Sequence, residues 1–181
     1  MTLPTPVFVG FFPKLTAPRP DWLQVEAVEE IASVSTCVSP APEDWITHWK
    51  HNDFGFYDTE ALARSIVPGD SVGYDLYAYE LFPLSWFDQE AEVLEHVPES
   101  GALPPDYAFL GYDIVTKSSS HVFECSPLSC NSAASEFPTN ACCLIDDEEQ
   151  AHQAVLRMSQ PDSGVEPGPY YLFKVYRKRR G

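Results

Sequence analysis

Apolar residues change their spacing several times along the chain, and each change predicts an element. Residues 4–13 carry Val7, Phe8, Val9, Phe11 and Phe12 among prolines at positions 4, 6 and 13, which predicts an edge strand. From Ile31 to Cys37 apolar and small polar residues alternate, which predicts a second strand that stops at Ser39-Pro40. Residues 42–50 place Trp45, Ile46 and Trp49 on one helical face, with Glu43 and Asp44 in the first turn, where the helix dipole favours negative charge. Another helix is expected after Asp58 or Thr59, ending at Pro68-Gly69, and residues 74–82 read as a long strand.

The second half runs through a similar programme. Residues 112–117 and 121–125 flank Ser118-Ser119-Ser120 as a plausible hairpin, and 131–137 as a short helix. Asp147 with Gln150 three positions later resembles a capping box, and Pro161 closes that helix. Pro167-Gly168 then suits a type II turn leading into a last strand, 170–177. Seven residues recur 88 positions apart: Val34, Cys37, Asn52, Asp58, Glu60, Ala63 and Val67 match Val122, Cys125, Asn140, Asp146, Glu148, Ala151 and Val155. The expected fold class is therefore α+β, with two copies of a strand–helix–helix–strand unit about a shared core and a pseudo-twofold axis. Its expected parts are residues 1–83, a connecting segment 84–103, and 104–181 with a basic C-terminal tail.

A chain of 181 residues with 44% hydrophobic residues has enough material for a proper core. Charge narrows the functions. The net charge is -16, and five of the 11 basic residues (Lys174, Arg177, Lys178, Arg179, Arg180) lie in the last eight positions. Residues 1–173 thus hold six basic residues against all 27 acidic ones, a charge of -21 that repels phosphate backbones and argues against direct duplex DNA binding. No apolar run approaches the length of a membrane span, and the N-terminal apolar stretch lacks the basic start of a signal peptide. Five cysteines, two of them adjacent, fit a reduced cytoplasmic setting better than a disulfide framework.

Candidate chemistry is sparse. His48, His51 and Asp53 could share a helix face as metal ligands, although two histidines without a further ligand at a recognised spacing more often decorate a polar edge. Cys37 and Cys125, with His51 and His121 as imidazole partners and Asn52 and Asn140 behind them, are the candidates for a thiol nucleophile. Buried structural cysteine is the commoner role for such residues. Cys125, Cys130, Cys142 and Cys143 lack the paired short loops of a zinc site, and helix capping accounts for Asp58 and Asp146. Tyr74, Tyr77, Tyr79, Tyr170, Tyr171 and Tyr176 fit sheet packing as well as a ligand groove. There is no Gly-rich phosphate loop, nucleophile elbow or His-Glu-x-x-His, and no cofactor is expected. The reading that follows is an acidic interaction domain for a basic macromolecule, in the manner of an immunity protein or inhibitor. Its alternative is a small thiol-dependent hydrolase or transferase using Cys37 or Cys125.

Overall fold

The structure, a computed structural model, describes residues 4–43, 45, 50–67, 69, 73–84, 102–117 and 123–180. Its elements in chain order are β1 Val7–Leu15, β2 Ala17–Pro18, β3 Glu30–Ile31, α1 Glu60–Ser65, β4 Tyr74–Leu81, β5 Tyr107–Lys117, β6 Phe123–Cys125, α2 Pro127–Cys130, α3 Glu148–Met158 and β7 Tyr170–Lys178. One antiparallel sheet has the order β1-β4-β7-β5-β6, and β2 pairs with β3 apart from it.

This order corrects the expected fold class. The duplicated strand–helix–helix–strand α+β unit does not form, because β4 and β7, the strands that were to close separate units, pair with each other in the middle of a mostly antiparallel sheet. Helix is scarce among the described residues, and α3 alone exceeds two turns. Side chains cover both sheet faces. Tyr171, Phe173 and Val175 of β7 enter one apolar cluster, while Tyr170 and Leu172 enter a second that α3 completes with Ala151, Ala154, Val155 and Met158. A strand buried on both faces needs no polar alternation, so β7 opens with the unbroken apolar run Tyr170–Phe173.

The expected strand from Ile31 to Cys37 shrinks to β3, and bends and turns follow it. Its alternation has another cause. Ser33 and Ser35 are buried rather than facing water, because they serve a buried lysine and aspartate described below. The expected helix 131–137 is a single 3-10 turn, Ala133–Ser135, preceded by α2. Residues 44 and 46–49 of the expected helix over 42–50, and most of the connecting segment 84–103, lie outside the described residues. β1 does form the sheet edge, and α1, β4, the β5–β6 pair, α3 and β7 fall close to where patterning places them.

The recurrence at 88 positions has a local counterpart. Asn52 donates from Nδ2 to the Val9 carbonyl and to Asp58 Oδ1, both at 2.9 Å, and its Oδ1 accepts from the backbone N–H of Phe54 and Phe56. Asn140 does the same with the Leu110 carbonyl (2.7 Å), Asp146 Oδ1 (2.6 Å) and the N–H groups of Cys142 and Leu144. Each turn leads into a helix capped by the residue after the aspartate, Thr59 for α1 and Asp147 for α3. Asp58 and Asp146 therefore brace the asparagines instead of capping. Cys37 and Cys125 do not correspond in this way, since Cys37 sits in a turn and Cys125 ends β6. Asn140→Ala removes four hydrogen bonds and is expected to cost about 2 kcal/mol, read from the shift in urea midpoint.

Candidate functional site

Phe109 on β5 is a large aromatic left 45% exposed. A register irregularity between Phe109 and Gly111 brings its ring against Tyr112, at 5.2 Å between centroids, and the β7 neighbour Tyr176 lies at 5.5 Å. The two tyrosines are tied to carboxylates: Tyr176 donates to Glu80 Oε2 (2.5 Å) and Tyr112 to Glu148 Oε2 (3.0 Å). Burial first, and then these carboxylates, push both phenols upward, so they remain neutral donors. Exposed Asp146, Asp147 and Glu149 lie beside Glu148 at the start of α3. The result is an aromatic patch bordered by negative charge. Lys174 shows how it handles a cation, with its ammonium 5.9 Å from the Tyr112 ring centre and 3.8 Å from Glu148.

The basic strand end is neutralised within the chain. Arg177 pairs with Glu30 at 2.7 Å, Lys178 with Glu60 at 2.7 Å and Asp106 at 2.8 Å, and Arg180 with Asp75 at 3.0 Å. Glu60 feels burial, but the hydrogen bonds from Lys178 and Arg64 outweigh it and hold its carboxyl below the usual range. A cleft of about 430 Å³ runs along this end, lined by Glu30, Ala108, Leu110 and residues 177–180. Three of its cations, Arg177, Lys178 and Arg180, already face carboxylates, which weakens its pull on an external anion.

A second polar centre lies in the middle of β5. Asp113, fully buried, accepts from Ser33 Oγ and the Val34 N–H at 2.7 Å each, from Ser126 Oγ at 2.6 Å and from the Ile114 N–H at 2.9 Å. Lys14 of β1 is equally buried and donates to the carbonyls of Ser33, Val34 (3.1 Å) and Ser35 (2.5 Å). Burial pulls the Lys14 ammonium down to about 7 against the attraction of Asp113. Burial likewise raises the Asp113 carboxyl, against the hydrogen bonds it accepts.

Ser35 links this pair to the thiols. Its Oγ donates to the Glu124 carbonyl, accepts from the Cys37 N–H (3.1 Å) and lies 3.6 Å from Cys130 Sγ. The Cys130 thiol is drawn down to about 6, chiefly by the influence of the neighbouring Cys125 thiol and against burial. Cys125 is moved strongly upward, first by the Cys130 thiol and then by burial, and Cys37 upward by burial first and then the same neighbour.

Cys37 and Cys130 thus meet at the Ser35 hydroxyl, and Cys125 follows Glu124, whose carbonyl accepts from that hydroxyl. His51 is placed elsewhere, with its ring 5.8 Å from Trp45 and its Nδ1 3.2 Å from the Asn52 carbonyl oxygen. His48 and His121 lie outside the described residues, and Asp53 is exposed. Cys142 donates to Glu30 Oε1 (3.3 Å) and is raised to about 11 by burial and that bond, while burial raises Cys143 to about 12. Among the described residues no three His, Cys, Asp or Glu side chains are arranged to hold a metal ion. None of their helices is long and apolar enough to cross a membrane.

Sequence reasoning passed over Phe109, Glu80, Lys14 and Asp113. The signal for Lys14 and Asp113 was faint but present, since each is a charge within an otherwise apolar strand. Compared with protein-family models, curated proteins and solved structures, the chain finds no match.

Proposed function

We propose that the chain is an acidic interaction domain that binds a basic protein, in the manner of an inhibitor or immunity protein, without turnover. The observation that carries this reading is the exposed Phe109 ring set between Tyr112 and Tyr176 and bordered by Glu80 and Glu148. Exposed aromatics with a polar rim are the usual anchors of protein interfaces, and a lysine or arginine can lie over the ring while pairing with the rim. The net charge of -16 supports it by steering cationic partners inward and speeding their arrival, and it opposes contact with duplex DNA. In-chain pairing of Arg177, Lys178 and Arg180 leaves the basic strand end little attraction of its own for anions. The five free thiols fit a reducing, cytoplasmic setting.

The test is affinity capture from the native cell at low and high salt with wild type, Phe109→Ala and Glu148→Lys. A basic protein retained at low salt, with affinity falling about tenfold or more in either variant, is the expected result. Equal retention by Phe109→Ala and wild type, or capture indifferent to salt, overturns the reading.

A further inference from the structure

We infer that the exposed face of Phe109 seats one arginine side chain of the basic partner, and that Lys174 selects arginine over lysine there. The inference rests on the function proposed above and deepens it. Two neighbouring rows of the sheet build the seat. Glu80, Lys174 and Tyr112 stand side by side across β4, β7 and β5, and Ala78, Tyr176 and Phe109 form the next row. Residues two apart on a strand share a face, and the extra residue at Leu110 lets Phe109 and Tyr112 share one although they are three apart.

Both tyrosines that touch Phe109 hold a carboxylate at the hydroxyl, Glu148 for Tyr112 at 3.0 Å and Glu80 for Tyr176 at 2.5 Å. Each of these bonds uses Oε2, and among the described residues no hydrogen bond falls on Oε1 of either glutamate. The exposed ring is therefore flanked by two carboxylates that have acceptor capacity to spare.

Lys174 divides this patch. Its ammonium lies 5.6 Å from the Phe82 ring centre, 5.9 Å from that of Tyr112 and 3.8 Å from Glu148 Oε2. A compact ammonium thus already fills the place that a partner's lysine would take, and it repels a second point charge set beside it. What it leaves is the flat face of Phe109, 45% exposed. A guanidinium suits that face. It is planar, spreads its charge, holds water more weakly than an ammonium, and can stack on a ring while the N–H groups at its edge reach carboxylates.

Two peptides of equal length and charge separate the head group from long-range steering: an N-acetylated, C-amidated octapeptide of alternating glycine and arginine, and its glycine–lysine counterpart. Each is titrated calorimetrically into the full chain at about 20 mM salt, where screening is weak. Wild type is expected to bind the arginine peptide about fivefold tighter than the lysine peptide. Phe109→Leu keeps an apolar side chain but removes the ring, and should bring the ratio close to unity. Lys174→Met keeps the stem against Phe82 and Tyr112 but removes the ammonium, and should strengthen lysine binding more than arginine binding, which narrows the ratio. Equal affinities in wild type, binding of neither peptide, or an undiminished arginine preference in Phe109→Leu overturns the seat. An unchanged ratio in Lys174→Met overturns its selecting role. The wild-type ratio needs no variant to fold. Partner capture is read separately, so retention of a basic protein alongside equal peptide affinities sinks this inference alone.

Discussion

Asp113→Ala is expected to destabilise the protein by about 3–5 kcal/mol, because it strands several buried hydrogen-bond donors at once, at about 1–3 kcal/mol each. The carboxylate accepts from Ser33, Val34, Ser126 and Ile114, and alanine strands the buried hydroxyls and N–H groups that pointed at it. It also removes the charge that helps Lys14 keep its proton. Lys14 and Asp113 hold the segment around Ser33 and Ser35 from two sides, so the loss reaches the turn bearing Cys37. Urea unfolding should show a lower midpoint at constant slope, and a loss below about 1 kcal/mol would show that the network is not a structural centre.

The same pair makes stability depend on pH in a defined direction. Lys14 titrates at about 7 in the fold against 10.5 in its absence, so between those values the unfolded chain binds more protons and stability rises with pH. The penalty for a charged Lys14 is complete below about pH 7 and disappears as pH approaches 10.5. Asp113 is shifted upward, so its unfavourable contribution begins as pH rises past the ordinary carboxyl value of 3.8 and is complete once pH exceeds its folded value. Wild type should therefore gain stability from pH 7 to 9 relative to Lys14→Met, which lacks the titrating group.

Gly111→Ala is the second large effect, at about 3 kcal/mol or more. Gly111 has φ of +146°, where L side chains are strained, and an added Cβ would lie 2.7 Å from Leu144 Cβ and 2.9 Å from the Ile145 carbonyl oxygen. Relief requires moving the Tyr112–Ile145 bridge, whose two backbone bonds measure 2.7 and 3.0 Å. Gly10→Ala should behave alike, with φ of +131° and a contact of 2.8 Å to the Tyr57 carbonyl oxygen. Thermal and urea unfolding of both variants measure this, and wild-type stability in either would mean that the close approach relaxes freely.

Local pattern determined a good part of the architecture. The capping residue and periodic alanines of α3, the proline-bounded edge of β1 and the strand-forming runs of β4 and β7 act through neighbours in sequence, so they are legible without the fold. The recurrence of Asn52 and Asn140 was likewise visible, because a short turn needs the same side chain wherever it is built.

What the sequence could not determine was which strands would pair. Antiparallel pairing depends on faces and register set by residues far apart, and the adjacency of β4 and β7 decided against two separate units. Serines spaced by two look the same whether they face water or a buried charge, so Ser33 and Ser35 read as a strand until Lys14 and Asp113 closed over them. The thiols follow the same rule. Cys37 and Cys130 stand 93 positions apart, and only the folding of the segment after β3 against the end of α2 brings both to the Ser35 hydroxyl.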